Sequence, residues 1–231
     1  MRRSALALAT VAVALIVAGW MVAGCSAIGP ATTESQSYDV GGAVSRLSLH
    51  GRAGSVEVTA GDGPVRVTET LKYTGGRPRT SHSTDAGTLR LADDGCAGGF
   101  RHCEVDYKVR VPSGTAVEVN TSACAIRLTG LAGDLDVTNS AGAIEATGLS
   151  STHVRMRNDA GKISVRYVAE PSTVDITNDA GAIDVRVPAT GSYAVDAHAD
   201  AGRTRVTVTQ DPASTRKITA RTDAGAITIG T

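Results

Sequence analysis

The side chains whose chemistry can be named are four cysteines, a file of aspartates and one acid–histidine–acid triplet. Cys96 and Cys103 bracket Ala97-Gly98-Gly99-Phe100-Arg101-His102, whose glycines let the chain turn back. In an oxidising compartment a disulfide between them is the expectation. A zinc site is the weaker reading, because no other Cys or His pair stands at ligand spacing. Cys124 is left over and is expected as a small buried residue. Asp159, Asp179, Asp200 and Asp223 each precede an Ala-Gly pair. Hard carboxylate oxygens in such a file suit Ca²⁺, but Ser122 and Ser140 stand at the matching place in two sister segments. The plainer expectation is that each Asp accepts hydrogen bonds within its own turn. Asp196-x-His198-x-Asp200 sets three polar side chains on one face of an extended segment, with no fourth ligand in sight. His50, His82, His102 and His153 are scattered and expected in solvent.

No nucleophile-elbow motif, phosphate-cradling loop with a lysine or zinc-protease helix occurs. The expectation is therefore no catalytic residue, no metal and no cofactor. The rival is a β-helix enzyme acting on acidic polysaccharide. Such a site needs clustered carboxylates, a positioned Arg or Lys, and long loops forming a cleft. Here the candidate acids form a regular file and the connections are short.

The fourth cysteine, Cys25, ends a different kind of segment. Arg2 and Arg3 precede an uncharged, mostly apolar run from Ala5 to Ala23, closed by Val22-Ala23-Gly24-Cys25. That closing tetrad resembles the bacterial lipobox. The resemblance implies a signal peptide over 1–24, diacylation of Cys25, and residence at the outer face of the cytoplasmic membrane, since two acyl chains anchor stably. An uncleaved transmembrane anchor is the alternative. Residues 25–42, polar and punctuated by Pro and Gly, are expected as a flexible tether, and 43–231 as one domain. Lys plus Arg and Asp plus Glu both number 23. So balanced a charge favours no nucleic acid. The expected partners are the membrane, through the anchor, and an extracellular or cell-wall molecule.

What must position these groups is a repeat. Six segments align, beginning at Val117, Leu135, Val154, Val174, Val195 and Ile218, with looser copies around Ala53-Gly54 and Ala86-Gly87. In the Val174 copy, Val174 and Ile176 alternate with Asp175 and Thr177, the period of a half-buried strand. Asn178-Asp179-Ala180-Gly181 is turn chemistry, and Ile183, Val185 and Val187 resume the alternation. The expected fold is all-β, a single-stranded parallel β-solenoid of about eight coils, with an antiparallel sandwich or barrel as the alternative.

Stacked copies place like residues about 4.8 Å apart. Val117, Leu135, Val154, Val174, Val195 and Ile218 then form one inward column. Ile126, Ile144, Ile163, Ile183, Thr204 and Ile227 form a second, and the motif alanines from Ala123 to Ala224 a third. Outward, Arg155 falls between Asp136 and Asp175, Glu145 beside Arg127, and Asp184 beside Arg205. Cys124 replaces the glycine of its copy, which implies a turn of another shape if that site needs positive φ. The segment from residue 218 onward, with no capping residues after it, is expected to leave an unpaired edge.

The repeated D-A-G-x-I-x-V pattern resembles the bacterial putative-adhesin family of unknown function. So does the passage Cys96…Cys103-x-Val105-Asp106-Tyr107…Val109-x-Val111-Pro112. The resemblance covers about residues 44–231. It implies an exported or membrane-anchored β-solenoid acting as an adhesin-like binding module. An envelope-stress sensing accessory is the alternative it leaves open.

Overall fold

The structure, a computed structural model, describes residues 31–96 and 102–231. The expected signal segment and Cys25 lie outside the described residues. The described residues contain no helix. Residues 31–231 form one compact unit, a parallel β-solenoid in which β-branched and leucine side chains alternate with polar ones along nearly every strand.

The regular part begins with β2 (Arg46–Ala60) and β7 (Ala116–Thr129). Each runs unbroken through both arms of a coil, and they pair in parallel from Arg46↔Ala116 to Thr59↔Thr129. Later coils split at the Ala-Gly turn into two strands. These are β8 (Leu135–Ala141) with β9 (Ile144–Leu149), β10 (His153–Ala160) with β11 (Ile163–Tyr167), and β12 (Thr173–Ala180) with β13 (Ile183–Arg186). First arms stack on first arms and second on second, all parallel and in the expected register.

The last coils depart from chain order. They are β14 (Ser192–Ala201) with β15 (Thr204–Val206) and, after the short β16 (Thr209–Gln210), β17 (Lys217–Ala224) with β18 (Ile227–Gly230). β17 and β18 insert between the β12–β13 coil and the β14–β15 coil, pairing on both flanks. The expected open edge after residue 218 is therefore wrong. The outermost coil is β14–β15, because the long connection of residues 207–216 lets the chain loop back under it. The same inversion overturns the Asp184–Arg205 pair. Thr228 stands between them, and Asp184 meets Arg186 at 3.0 Å instead.

The other end has a different build. β5 (Thr88–Cys96) pairs in parallel with the first arm of β2, and β6 (Cys103–Val111) with its second arm, making an eighth layer on seven coils. Beyond them the direction reverses. β4 (Pro78–Asp85) lies antiparallel to β5, β3 (Val65–Tyr73) antiparallel to β6, and β1 (Thr32–Val40) antiparallel to β3. The Ala86-Gly87 copy is thus no coil but a hairpin turn, with Ala86 at φ 46°.

Residues 32–40 are not tether but strand. Their polar side chains are satisfied across the pair rather than by solvent alone: Ser35 with Thr70, Ser37 with Thr68, and Asp39 with Arg66 at 2.7 Å.

The core lies between the two arms. Val117, Leu135, Val154, Val174 and Ile218 are at most 3 % exposed, as are Ile126, Ile144, Ile163, Ile183 and Ile227. Thr204 and Val195, on the outermost coil, are exposed and half-buried. The alanine column keeps register but faces solvent. Pairing skips the Asp or Ser before the alanine, so the alternation slips there and the following glycine turns inward instead. Gly161 has φ +129°, and a Cβ on it would lie 2.1 Å from the Gly142 carbonyl oxygen. Only glycine fits this place. Cys124 sits there in β7 without positive φ, so this coil bends by another path, as its substitution implied.

Candidate functional site

The repeat creates its own chemistry inside the turn. Asn139, Asn158 and Asn178, each at most 2 % exposed, stack in consecutive coils with Thr121 and Thr222 at the ends of the row. Asn139 Nδ2 donates to Asn158 Oδ1 at 3.1 Å and to the Cys124 carbonyl at 3.1 Å. Asn158 and Asn178 donate to the Gly142 and Gly161 carbonyls at 3.1 and 2.8 Å. Each amide satisfies the turn carbonyl of the preceding coil, that of Cys124 for Asn139 and of a glycine for the other two, which burial would otherwise orphan.

This inverts the expectation for the aspartate file. Asp159, Asp179, Asp200 and Asp223 are all exposed. Among the described residues, Asp159, Asp179 and Asp223 make no side-chain hydrogen bond within their turns; the buried residue one place earlier, Asn158, Asn178 or Thr222, instead bonds the glycine carbonyl of the neighbouring coil's turn. Asp200 meets His198 at 2.8 Å, while Asp196 turns to Arg221 at 2.5 Å, so the triplet does not converge. No group of three His, Cys, Asp or Glu among the described residues could hold a metal ion.

Cys96 and Cys103 form the expected disulfide, Cα–Cα 6.0 Å, closing the chain between the two faces where β5 ends and β6 begins. Burial pushes the Cys124 thiol up to about 11, so it is free, protonated and enclosed.

The polar cluster that sequence reasoning missed lies at the antiparallel end. Glu69 points into the core at 0 % exposure. It accepts from Tyr38 Oη at 2.6 Å, Gln36 Nε2 at 2.8 Å and Thr80 Oγ1 at 3.0 Å. Burial first, and the Glu69 carboxylate second, drive the Tyr38 hydroxyl well above the usual phenol range. The Tyr38 ring stacks on His82 at 4.4 Å, so the edge strands of the two faces touch and close this end. Enclosed and fully donated to, Glu69 staples three strands and offers no surface to a substrate. The only available signal was its place between Val67 and Leu71, where β3 turns its apolar side inward.

The accessible chemistry lies on the outer faces. On the first arms, one row reads Glu118, Asp136, Arg155, Asp175, Thr219 and Asp196 in spatial order. Arg155 lies between Asp136 and Asp175, 3.7 Å from the latter. The row borders a shallow depression of about 330 Å³ lined by Arg46, Asp134, His153 and Arg155 among others. On the second arms, Arg127 pairs with Glu145 at 3.4 Å as expected. Exposed pairs of this kind contribute ~0–1 kcal/mol each and chiefly favour one register. What they leave is a broad face of charged and hydroxyl side chains at fixed spacing.

A parallel solenoid closed at one end and presenting polar faces defines the class of fold. The chain belongs to the Toastrack DUF4097 family, whose model matches residues 48–230. The fold is similar to that of a putative cell adhesion protein from Clostridium sporogenes: TM-score 0.51, 14 % identity, covering 86 % of this chain and 99 % of that one. It is equally similar to a putative adhesin from Bacteroides fragilis: TM-score 0.53, 13 % identity, covering 86 % and 97 %. No curated protein matches the chain.

Proposed function

We propose that this chain is a non-catalytic, adhesin-like binding module, exported and held by acylated Cys25 at the outer face of the cytoplasmic membrane, where it contacts a cell-wall or extracellular partner. The observation that carries the reading is the outer face of the first arms. There, in-register strands hold acids, arginines and hydroxyls in rows on a rigid, shallow surface, as suits an extended polar ligand rather than a small enclosed one. Family membership and the names of the two similar structures support it. So does the leader that ends in Val22-Ala23-Gly24-Cys25.

The test has two arms. Cells fed a fatty-acid probe should label the wild type and not Cys25→Ala, which should accumulate as precursor; equal labelling removes the anchor. Residues 31–231 should co-sediment with purified cell-wall sacculi, and Arg155→Glu with Arg157→Glu, the latter being the next exposed outward residue of β10, should reduce retention several-fold. If wild type fails to co-sediment, or the variant is retained equally, the binding face has been placed wrongly.

A further inference from the structure

The two ends of the solenoid are finished differently, and the unfinished one is self-complementary. At the β1–β4 end, strands reverse direction, the disulfide ties the faces, and Tyr38 on His82 closes the gap. At the β14–β15 end the core is open. Val195, Ala197, Ala199 and Val206 pack against it while only partly buried. Their counterparts one coil inward, Ile218, Ala220 and Ile229, are at most 1 % exposed. Among the described residues, the free flank of β14 is paired only at Ser192–Tyr193, by β16, and β15 is paired only with β18. Open strand flanks beside a half-buried apolar row form an association surface unless blocked, and no proline or inward charge blocks β14.

The charges on this coil name the occupant. The outward residues of β14 are Asp196, His198 and Asp200, and the residues leading into and along β15 include Arg203 and Arg205, all exposed. Neither arginine joins an ion pair among the described residues. β14 runs toward the Ala201-Gly202 turn and β15 runs away from it. A two-fold axis across the stack, bisecting the two arms, therefore lays β14 of one copy beside β15 of another in antiparallel sense. Acid row then meets basic row twice, and the two open cores face each other.

We propose that two copies of this chain join end to end through the β14–β15 coil, making one continuous solenoid closed at both far ends by the β1–β4 caps.

The test uses residues 31–231, which contain every strand pairing described. In sedimentation velocity the wild type should pass from one copy to two as concentration rises through about 1–200 µM. Asp196→Arg/Asp200→Arg and Arg203→Asp/Arg205→Asp should each weaken association at least roughly tenfold. Mixing the two variants should restore a heterodimer, because each then offers the charges the other lacks. That rescue also shows both variants to be folded. A wild type that stays monomeric throughout, or variants that associate as well alone as mixed, overturns the proposal.

Discussion

At the scale of single residues, the molecule is organised by the asparagine that follows two inward apolar positions in a coil. It stands where a strand residue should face the core, and it does: Val174, Ile176 and Asn178 all point inward. The sequence shows this alternation plainly, but Asn is also a turn former, and next to Asp-Ala-Gly the two roles have the same letters. Burial separates them, and burial depends on the coil stacked above. The distinction predicts opposite outcomes for adjacent residues. Asn158→Ala removes the donor to the Gly142 carbonyl and breaks the amide chain between Asn139 and Asn178. It should cost about 1–3 kcal/mol, read as a lower urea midpoint at unchanged slope. Asp159→Ala, one position on and exposed, should stay within about 0.5 kcal/mol. If the aspartate variant proved the costlier, the turn would be held by the carboxylates after all.

Among the elements, the stacked coils and their register were legible because six copies repeat one apolar pattern, and a one-residue slip would turn every core side chain outward. The order of the last two coils was not. The β14 and β17 strands offer similar inward residues, Val195 and Ala197 against Ile218 and Ala220, so either fits on β12. The surviving clue is length. The motif alanine advances 23 positions from Ala201 to Ala224, the widest step of the series, and the extra residues carry the chain around β14. β1 was hidden for another reason. Its Ser, Thr, Glu and Gln side chains have a linker's composition, and only β3 shows that they have partners. The inversion is testable by ending the chain after Arg216. Loss of β17 and β18 removes, among the described residues, the only long neighbour of β14 and the only neighbour of β15. Limited proteolysis should then cut within residues 187–216 while β7–β13 survives as a resistant core. Were the coils in chain order, the truncated protein would lose one coil cleanly and keep β14–β15 protected.

Across the whole molecule, stability in a stack of coils is a sum of nearest-neighbour interfaces, so the ends govern where opening begins. One end here is crossed by antiparallel strands, tied by Cys96–Cys103, and stapled through Glu69 by Tyr38, Gln36 and Thr80. The other ends in a coil whose β15 arm has three residues and whose inward side chains are small. Opening should therefore start at β14–β15 and run toward the cap, with the interior strands of β2, β7 and β8 opening only on global unfolding. Native-state hydrogen exchange on dilute protein should rank the amides in that order, β14 and β15 fastest and β7 and β8 slowest. At concentrations where two copies join, exchange in β14 and β15 should slow while that of β1 and β4 does not change, because binding to the folded state stabilises only what the partner covers. Exchange that is uniform along the stack, or fastest at β1 and β4, would show that the antiparallel end is no cap, and would remove the asymmetry on which end-to-end joining rests.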